Sequence, residues 1–599
     1  MKNNYLDSKL ITIKGLVQGV GFRPFIYRLA KEMHIYGWVR NNNESVEIFI
    51  EADENIVNNF VKKIYSEKPI TSSISSLEIK EVSFHGFDNF QIIESNDNTN
   101  NVTQVSPDIA VCEECLQDLK NNSNRINYPL INCSVCGPRY TIVKSLPYDR
   151  INTTMSAFKM CKQCYEEYSN PSNRRFHAQP IGCNHCGPQY SLKIYNKDTN
   201  DYKSIDNFND IFKYISDGLK KNKIFCFKAT GGYNLVCDAK NEESVDILRH
   251  IKNRDSKPFA VMFRDINTLK NYAKVDEIEF QQLISWQRPI VILKEQEPLA
   301  YSVSMGLGTI GAILPYMPFH YLLFEYSEME ALVMTSGNIS DEPITIDDNK
   351  ALSLFGKITD GVLLYNRDIY NRVDDSVVFV CNSTPYFIRR SRGFVPTPIN
   401  LNIDCEGVFA AGAELTSCFS IGKGNEAILS PYIGDLKNFE TYLFYDEVFK
   451  RYSHLFRFKP SFVAVDLHPN YHSTIYGTEI GVDTISVQHH YAHILSVMAE
   501  HNIVEPIIGV AFDGTGLGTD DKIWGSEFMV CTPYDFKRIG HFDYIPLPGG
   551  DKVVYEPWRT GVSLLYKIFG EKFLDFDIPI NKKIGRQQIE NIIIKEVIK

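Results

Sequence analysis

The sequence predicts a multidomain protein that combines α/β and α+β domains with one small metal-binding module. Its 599 residues, 44% of them hydrophobic, exceed what one core normally serves, so about three to five domains are expected. Short β-branched runs such as ITIKGLV, IFCFKA and IIGVAF alternate with helix-like stretches such as PFIYRLAKEM, which is typical of α/β architecture. Polar joints near residues 94–107, 195–207 and 393–407 divide the chain. The predicted domains span residues 1–95, 105–195, 205–395 and 405–599.

Charge and apolar patterning exclude several classes of protein. The net charge of −10 disfavours binding to nucleic acid or to an anionic membrane through the overall field of the protein. The N-terminus has no signal-peptide h-region, and no run of about 18 consecutive apolar residues occurs, so neither secretion nor a membrane span is expected. The sequence therefore predicts a cytoplasmic protein.

Eight of the 14 cysteines form four Cys-x-x-Cys pairs, which are arranged as an internal repeat. In a reducing compartment such pairs hold metal more often than they form disulfides. Within each repeat, 17 or 18 residues separate the two pairs, and each repeat can supply one closed tetrahedral zinc site. Redox dithiols and an interlaced pairing, in which the first pair shares a metal with the fourth, are the alternatives. The predicted ligands of two structural zinc ions are Cys112, Cys115, Cys133 and Cys136, and Cys161, Cys164, Cys183 and Cys186.

A glycine-rich turn follows the first strand-like run. Gly15, Gly19 and Gly21 allow a tight loop whose backbone N–H groups point inward, and a following helix N-terminus adds positive potential. Arg23, just inside that helix, offers a fork suited to phosphate. The alternative is an ordinary strand-to-helix turn with a surface arginine.

The motifs GLVQGVGFRPF and GWVRN resemble the acylphosphatase signature across residues 8–95. The resemblance implies a ferredoxin-like fold with two catalytic residues, in which Arg23 binds the phosphate and Asn41 positions the attacking water. It also implies hydrolysis of an acyl phosphate that is held by oriented amides, without a covalent nucleophile. The family's glycine after the asparagine is replaced by NNES at residues 42–45, where Asn can adopt the same left-handed conformation.

Both cysteine repeats close with Cys-Gly-Pro, at residues 136–138 and 186–188. This motif resembles the zinc-finger repeats of the HypF family. A nucleic-acid-binding finger is the alternative, with Arg174, Arg175 and His177 in the second loop. Three basic residues in an acidic chain are a weak basis for phosphate contacts, so nucleic acid is not the favoured partner.

Basic residues accompany glycine-rich and hydroxyl-rich turns in the third block. Such a set suits a polyphosphate, whereas a lone Lys or Arg is most often a solvated surface residue. The small polar cluster is Thr335-Ser336-Gly337-Asn338. The basic set comprises Lys228, Lys252, Arg254, Lys257, Arg389, Arg390 and Arg392.

The segments Lys252-Asn253-Arg254 and Ser336-Gly337-Asn338 resemble the Lys-x-Arg and Ser-x-Asn signature of the YrdC family. The resemblance implies that carbamate attacks the α-phosphate of ATP, which releases pyrophosphate and leaves carbamoyl adenylate. Lys252 and Arg254 would neutralise the charge that develops on the phosphates, with assistance from magnesium. The residues implied to bind the nucleotide and carbamoyl adenylate are Lys228, Lys252, Arg254, Ser336, Asn338 and Arg390.

A histidine pair and an acidic turn mark the last block. VQHHYAHILSVMAEH places His489 and His493 four residues apart on one face of a helix-like run, as a metal site needs. A packed or surface histidine pair is the alternative. The strand-like run IIGVAF ends at Asp513, which opens an acidic, glycine-rich turn suited to a nucleotide phosphate or its metal ion.

Together with GAELTSCFS, SPYIGDL and VAVDLHPNY, these motifs resemble the carbamoyl-transfer domain of the HypF family. The resemblance implies an actin-like ATPase fold, shared with the TsaD family. It implies that His489 and His493 bind a further divalent metal and that Asp513 belongs to the nucleotide and metal site. The chain stops at Lys599, before the family's later glycine-rich and aspartate-bearing motifs. The resemblance thus implies a partial, C-terminally truncated domain, and the sequence leaves its transfer activity open.

HypF-like motifs occur in every block and in family order, so the resemblance covers essentially the whole chain. It implies a relay in which carbamoyl phosphate is hydrolysed, carbamate is adenylated with ATP, and the carbamoyl group passes to a cysteine of the partner protein HypE. The product would become a cyanide ligand of a nickel-iron hydrogenase. A tRNA-modifying threonylcarbamoyl adenylate synthase is the alternative enzyme, and a zinc-stabilised binding scaffold with decayed active sites is the alternative of another class.

Overall fold

The structure is a computed structural model that describes residues 7–42, 44–95, 104–254, 256–550 and 552–597. Contacts divide the chain into two compact units, Met1–Ser486 and Val487–Lys599. The first unit holds the N-terminal domain, the cysteine module, the middle domain and the beginning of the last block.

The N-terminal domain is a five-stranded sheet with two helices, and its strand order is β4-β1-β3-β2-β5. The βαββαβ order of its first six elements gives the ferredoxin-like fold that the sequence predicts. Ile11, Ile13 and Ile48 are fully buried beneath the helices, because alternate strand residues face the core. The elements are β1 Asp7–Leu16, α1 Phe22–Glu32, β2 Tyr36–Asn41, β3 Val46–Ala52, α2 Glu54–Glu67, β4 Ser73–Glu81 and β5 Phe90–Ile92.

The cysteine module contains little regular structure besides one helix per repeat. Each helix begins one residue after the first cysteine of its repeat, so the Cys-x-x-Cys pair lies at a helix N-terminus. The remaining backbone turns tightly around the cysteines. The helices are α3 Glu113–Asn121 and α4 Lys162–Ser169, with 3-10 turns at Tyr140–Ile142, Arg150–Asn152 and Thr154–Ala157.

The middle domain is a mixed twelve-stranded sheet with helices packed against it. Its strand order is β17-β16-β12-β13-β10-β14-β9-β8-β15-β6-β7, and β11 pairs with β12. The strands are β6 Tyr190–Asn196, β7 Asp201–Ile205, β8 Phe225–Lys228, β9 Tyr233–Asp238, β10 Ala260–Phe263, β11 Ala273–Lys274, β12 Ile290–Glu295, β13 Thr309–Ile313, β14 Ala331–Ser336, β15 Val362–Tyr365, β16 Val377–Cys381 and β17 Thr384–Arg389. The helices are α5 Phe208–Leu219, α6 Glu242–Lys252, α7 Ile266–Tyr272, α8 Glu277–Ile284, α9 Tyr301–Ser304, α10 Pro318–Ser327 and α11 Asp348–Phe355.

One predicted joint is itself part of this sheet. The polar stretch near residues 195–207 contains β7, which forms a hairpin with β6 at the sheet edge. Tyr195 and Tyr202 face each other across the hairpin, and Asn200 takes the left-handed backbone conformation that its turn requires. An edge hairpin tolerates polar residues on both faces, which is why its composition resembles that of a linker.

A six-stranded sheet completes the first unit, in the order β18-β21-β20-β19-β22-β23. Its core includes Phe409, Phe419 and Tyr445, and it packs against Tyr140 and Tyr148 of the cysteine module. The elements are β18 Ile399–Asn400, β19 Val408–Ala410, β20 Ser420–Lys423, β21 Glu426–Leu429, α12 Phe439–Leu455, β22 Phe462–Asp466, α13 His472–Glu479 and β23 Asp483–Val487.

The second unit has two small cores, one around Trp524 and Met529 and one around Val562 and Phe573. Its strands pair as β24-β27-β28 and β25-β26. Among the described residues of the whole chain, no helix has the length and apolar character needed to cross a membrane. The elements are α14 His489–Glu500, β24 Ile507–Ala511, β25 Gly516–Leu517, β26 Ile523–Trp524, β27 Glu527–Cys531, β28 Phe536–His541, α15 Lys552–Tyr555, α16 Trp558–Phe569, α17 Pro579–Ile584 and α18 Arg586–Ile592, with a 3-10 turn at Gly570–Asp575 and a π turn at Ile593–Val597.

Candidate functional site

The loop between β1 and α1 has the form of an anion cradle. Gly19 and Gly21 have φ values of 73° and 77°, which favour glycine. The backbone N–H groups of Gly19, Val20 and Gly21 find no acceptor among the described residues. A Cβ atom on Gly21 would lie 2.8 Å from Val135 Cγ1, so the cysteine module leaves no room for a side chain there. The unpaired amides and the N-terminus of α1 suit a phosphate group.

Arg23 and Asn41 lie beside this loop and line the same small cavity. Arg23 is buried at the start of α1, where Nη1 donates to Ser95 Oγ at 3.2 Å and Nη2 donates to Asp149 Oδ1 at 3.1 Å. Asn41 ends β2 and is also buried, and its Oδ1 has no hydrogen-bond partner in the described part of the chain. A buried acceptor without a partner is rare and indicates a position for water or ligand. The structure therefore brings both predicted catalytic residues together.

The cysteine module supplies the opposite wall of this cavity. Arg139 Nε donates to the carbonyl of Gly19, and Tyr148, His177 and Gln179 line the cavity. Burial and the positive charge of Arg23 lower the pKa of His177 to about 4, so this imidazole is neutral at pH 7. The sequence offered His177 only as part of a nucleic-acid-binding loop and did not indicate this wall, because it lies more than a hundred residues from the glycine loop.

The eight paired cysteines form two separate clusters, one for each repeat. The distance from Cys112 Sγ to Cys133 Sγ is 3.7 Å, and that from Cys161 Sγ to Cys183 Sγ is 3.8 Å. Four thiolates at the usual Zn–S distance of about 2.3 Å lie about 3.8 Å apart in a tetrahedron. Both clusters therefore fit zinc, and the interlaced pairing is excluded.

Each cluster is braced by an arginine from the other repeat. Arg125 of the first repeat donates Nη2 to Cys164 Sγ at 3.4 Å and Nε to Gly182 O at 3.0 Å, and it forms an ion pair with Glu167 at 2.7 Å. Its guanidinium is fully buried. Such N–H···S bonds withdraw charge from thiolates that a metal alone does not neutralise.

The second repeat makes equivalent contacts to the first repeat. Arg175, which precedes its repeat's third cysteine by the same eight residues as Arg125, donates Nε to Asn132 O at 3.2 Å. It also forms an ion pair with Asp118, which stands six residues after Cys112 as Glu167 stands six after Cys161. The neighbouring Arg174 donates Nη2 to Cys115 Sγ at 3.2 Å. The two repeats thus exchange arginines.

The predicted YrdC-type residues meet at one end of the middle sheet and line a large cavity. Lys252 ends α6, and its Nζ donates to the carbonyl of Ser336 and, at 2.8 Å, to Asn338 Oδ1. Ser336 ends β14, and its hydroxyl donates to the same Asn338 oxygen at 2.7 Å. Arg254 lies two residues after the end of α6 and lines the same cavity.

The electrostatics of this cavity favour an anion. Burial, followed by the positive charge of Arg254, lowers the pKa of Lys252 to about 7. Burial also lowers the pKa of Lys257. The carboxyl group of Asp374, another lining residue, has a pKa raised by burial. Positive charges that repel one another and are poorly solvated are strongly stabilised when an anion binds beside them.

Two predicted nucleotide-binding residues lie elsewhere. Lys228 Nζ donates to Asp348 Oδ1 at 2.5 Å and to Tyr365 O at 3.0 Å, and Arg390 Nη2 donates to Thr397 O at 2.6 Å. Neither is among the described residues that line the cavity, where Arg389 and Arg392 lie instead. Adjacent residues on a strand alternate sides, and sequence alone did not indicate which arginine faces inward.

Loops that flank strands of the six-stranded sheet also line the cavity. Thr416, Tyr432 and Asp435 lie in these loops, and the Arg389 guanidinium lies 4.3 Å from the centre of the Tyr432 ring. A cation–π contact of this length orients the guanidinium while leaving its edge free for hydrogen bonds.

A third, small cavity shares Tyr316 and Arg392 with the Lys252 cavity. Buried Asp108 also lines it, and Asp108 Oδ1 accepts the backbone N–H of Arg139 at 2.6 Å. Because Arg139 lines the Arg23 cavity, one hydrogen bond links the linings of these two cavities, which share no described lining residue.

In the second unit, two histidines and an aspartate converge. His489 and His493 lie on one face of α14, and Asp513 follows β24. The Asp513 Oδ2 atom lies 2.7 Å from His489 Nε2 and 3.1 Å from His493 Nε2. Hydrogen bonding from His489, then from His493, lowers the pKa of Asp513 well below its usual range. Three candidate ligand atoms within 4.8 Å of one another fit a divalent metal.

Family models match nearly the whole chain, in consecutive segments. They describe an acylphosphatase at residues 9–92, HypF fingers at 111–143 and 160–193, and the Sua5/YciO/YrdC "telomere recombination" family at 217–391. The last two describe a HypF Kae1-like domain at 404–500 and a second Kae1-like carbamoyltransferase subdomain at 509–597.

Full-length relatives decide the family. The carbamoyltransferase HypF of Synechocystis sp. is 39% identical over 573 residues, which cover 95% of this chain and 74% of the relative. This chain belongs to the HypF family. The probable carbamoyltransferase HypF of Methanocaldococcus jannaschii is 38% identical over 94% of this chain and 74% of the relative. The family that the sequence motifs indicated is confirmed.

Solved HypF structures have the same fold. Full-length HypF in a phosphate- and nucleotide-bound form is similar with a TM-score of 0.91 and 40% identity, over 98% of this chain and 77% of that one. HypF of T. kodakarensis gives a TM-score of 0.89 and 38% identity, over 99% and 78%. This HypF protein is accordingly an enzyme with carbamoyltransferase and acylphosphatase activity, and its predicted domain types are confirmed.

Proposed function

We propose that this enzyme prepares carbamoyl groups for hydrogenase maturation in the cytoplasm, from carbamoyl phosphate and ATP. The observation that carries the proposal is the contact between three cavities in the first unit: the small cavity shares Tyr316 and Arg392 with the Lys252 cavity, and its Asp108 is hydrogen-bonded to Arg139 of the Arg23 cavity. The chemistry that the Arg23 and Lys252 cavities suit, phosphate binding and nucleotide activation, fits a two-step use of one small substrate.

In the first step, water and carbamoyl phosphate yield carbamate and inorganic phosphate. The amides of the glycine loop and the Arg23 guanidinium hold the phosphate, and Asn41 Oδ1 accepts a hydrogen bond from the attacking water. Oriented donors in a buried site stabilise the transition-state charge without reorganisation. No covalent intermediate is required.

In the second step, a carbamate oxygen attacks the α-phosphorus of ATP, and pyrophosphate leaves. Lys252 and Arg254 neutralise the phosphates, and Ser336 and Asn338 position the carbamoyl end. Magnesium, when bound with ATP, supplies additional charge neutralisation. Carbamate is short-lived in water, so the intermediate cavity would protect it in transit.

In the last step, the carbamoyl group passes from the adenylate to a cysteine thiolate of the acceptor protein HypE, and AMP leaves. His489, His493 and Asp513 would hold a divalent metal, which supplies positive charge for phosphate binding when present. The two zinc ions serve the fold rather than the chemistry, because four cysteines leave no open coordination position.

Pyrophosphate release tests the proposal. The enzyme is incubated with ATP and carbamoyl phosphate, or with ATP, bicarbonate and threonine. We expect release with the first set alone, and loss of release in both Arg23→Ala and Lys252→Met. Release with the second set alone would identify a threonylcarbamoyl adenylate synthase, and release with neither would indicate a binding scaffold.

A further inference from the structure

A carboxylate from the cysteine module approaches the predicted phosphate ligand. Asp149 lies in the loop between the two cysteine repeats, and its Oδ1 accepts a hydrogen bond from Arg23 Nη2 at 3.1 Å. We propose that Asp149 is a positioning residue for acyl-phosphate hydrolysis, which fixes the Arg23 guanidinium for the phosphate. This inference rests on the proposed role of Arg23.

The geometry places Asp149 behind the guanidinium. Arg23 is among the residues that line the small cavity, whereas Asp149 is not among the described ones that do. Ser95 Oγ accepts from Nη1 at 3.2 Å, so two acceptors hold the side away from the cavity. An arginine fork has more N–H donors than these two acceptors use, and the others remain for the phosphate.

The Asp149 loop is itself firmly held. The backbone N–H of Arg150 donates to Gln179 Oε1 at 2.8 Å. Its guanidinium donates to the carbonyls of Gln179 at 2.7 Å and Ile181 at 2.9 Å, and also to that of Phe158 at 2.7 Å. Ile181 lies two residues before the zinc ligand Cys183. The second zinc repeat therefore determines where the Asp149 carboxylate stands.

Asp149 could instead compete with the phosphate for Arg23, and that role predicts a different kinetic effect. A carboxylate that occupied the phosphate position would compete with substrate, and its removal would strengthen phosphate binding. A positioning carboxylate acts on the reaction step, because a poorly oriented arginine binds phosphate yet stabilises the transition state less well. Removal of Asp149 should therefore lower KM if the carboxylate competes with substrate, and should lower kcat if the carboxylate positions Arg23.

Two nearly isosteric variants of the full chain test the proposal. Asp149→Asn keeps an oxygen that accepts from Nη2, whereas Asp149→Leu has no acceptor. We expect Asp149→Leu to lower kcat for carbamoyl phosphate by about tenfold to a hundredfold, with KM changed by less than about threefold. Asp149→Asn should recover most of that loss. Glu166→Leu, which removes an exposed acid of the same module outside the Cys-x-x-Cys turns, is the matched control and should match the native enzyme.

Three results would overturn the inference. They are a rise in kcat/KM in Asp149→Leu, unchanged kinetics in that variant, and an equal loss in both variants accompanied by loss of zinc. Inorganic phosphate binding and zinc content are measured on the same samples. If the native enzyme fails to hydrolyse carbamoyl phosphate, or if Arg23→Ala retains full activity, the proposed function itself fails; full activity in Asp149→Leu alone rejects only the positioning role.

Discussion

The two side chains proposed to hold anions, Arg23 and Lys252, differ in their surroundings. Arg23 is held by two side-chain acceptors, Ser95 and Asp149. Lys252 is a buried ammonium whose hydrogen-bond acceptors near Ser336 and Asn338 carry no net charge. The first site is therefore expected to depend on geometry, and the second on protonation.

Replacing Arg23 tests the geometric requirement. We expect Arg23→Ala to reduce phosphate release from carbamoyl phosphate by about a hundredfold or more, since a principal oriented donor to the phosphate is lost. Arg23→Lys should recover little, because an ammonium lacks the planar fork. Arg28→Ala, an exposed arginine of the same helix α1, is the control. Activity in Arg23→Ala close to that of the control would contradict the assignment.

The pH dependence of nucleotide binding tests Lys252. With a pKa of about 7 in the free enzyme, Lys252 is largely neutral at pH 8, and a bound polyphosphate favours its charged form. ATP binding at pH 8 should therefore take up a proton, and ATP affinity should fall as the pH rises through 7. Calorimetry in two buffers of different ionisation enthalpy measures the uptake. The proton uptake should be absent from Lys252→Met, and its persistence there would assign the proton to another group.

At the scale of structural elements, the two cysteine repeats are interdependent. Arg125 and Glu167 lie on different repeats yet form one buried ion pair, and Arg175 and Asp118 mirror them. A buried charge that loses its partner is strongly destabilising. Neither repeat is therefore a self-contained zinc finger.

Zinc loss from one repeat after a substitution in the other tests this interdependence. We expect Arg125→Ala, in the first repeat, to weaken zinc binding by the second repeat, because Cys164 and Glu167 lose their donor. The destabilisation should be about 3–5 kcal/mol. Zinc content during chelator titration should show one ion lost early, and the Cys161 thiol should become reactive first. Lys162→Ala, a 93% exposed neighbour of Cys161, should keep both ions. Early loss of the Cys112 cluster instead would refute the exchange.

Local motifs predicted the elements better than the contacts between them. Gly19, Gly21 and Arg23 lie within five residues, so a strand, a turn and a helix N-terminus suffice to bring them together. By contrast, Asp149 stands 126 residues after Arg23, and no local pattern links the two. The choice between Arg389 and Arg390 depended on where β17 ends, because Arg389 is its last residue and lines the cavity, whereas Arg390 follows the strand and is not among the described lining residues.

For the whole molecule, the order of the cavities matters more than any single site. The small cavity beside Asp108 shares Tyr316 and Arg392 with the Lys252 cavity, and Asp108 is hydrogen-bonded to Arg139, which lines the Arg23 cavity. Such an arrangement protects a short-lived intermediate only if the intermediate does not exchange with solvent between the two sites.

Obstructing the small cavity should uncouple the two reactions. Ala110 lines it and is buried, so Ala110→Phe would occupy its space, at a cost of about 1–3 kcal/mol in stability. We expect unchanged phosphate release from carbamoyl phosphate but reduced pyrophosphate release from ATP. Ala110→Ser, which is barely larger, should keep the two rates matched. A parallel decline of both rates in Ala110→Phe would argue against a protected path.

The hairpin of β6 and β7 has a consequence for movement. Only three residues separate Cys186 from β6, and β6 is hydrogen-bonded to β15 of the middle sheet. The second cysteine repeat is therefore attached to the middle sheet through a short linker and a paired strand. Cutting the chain within the hairpin loop should leave the two pieces assembled, because β6 stays hydrogen-bonded to β15.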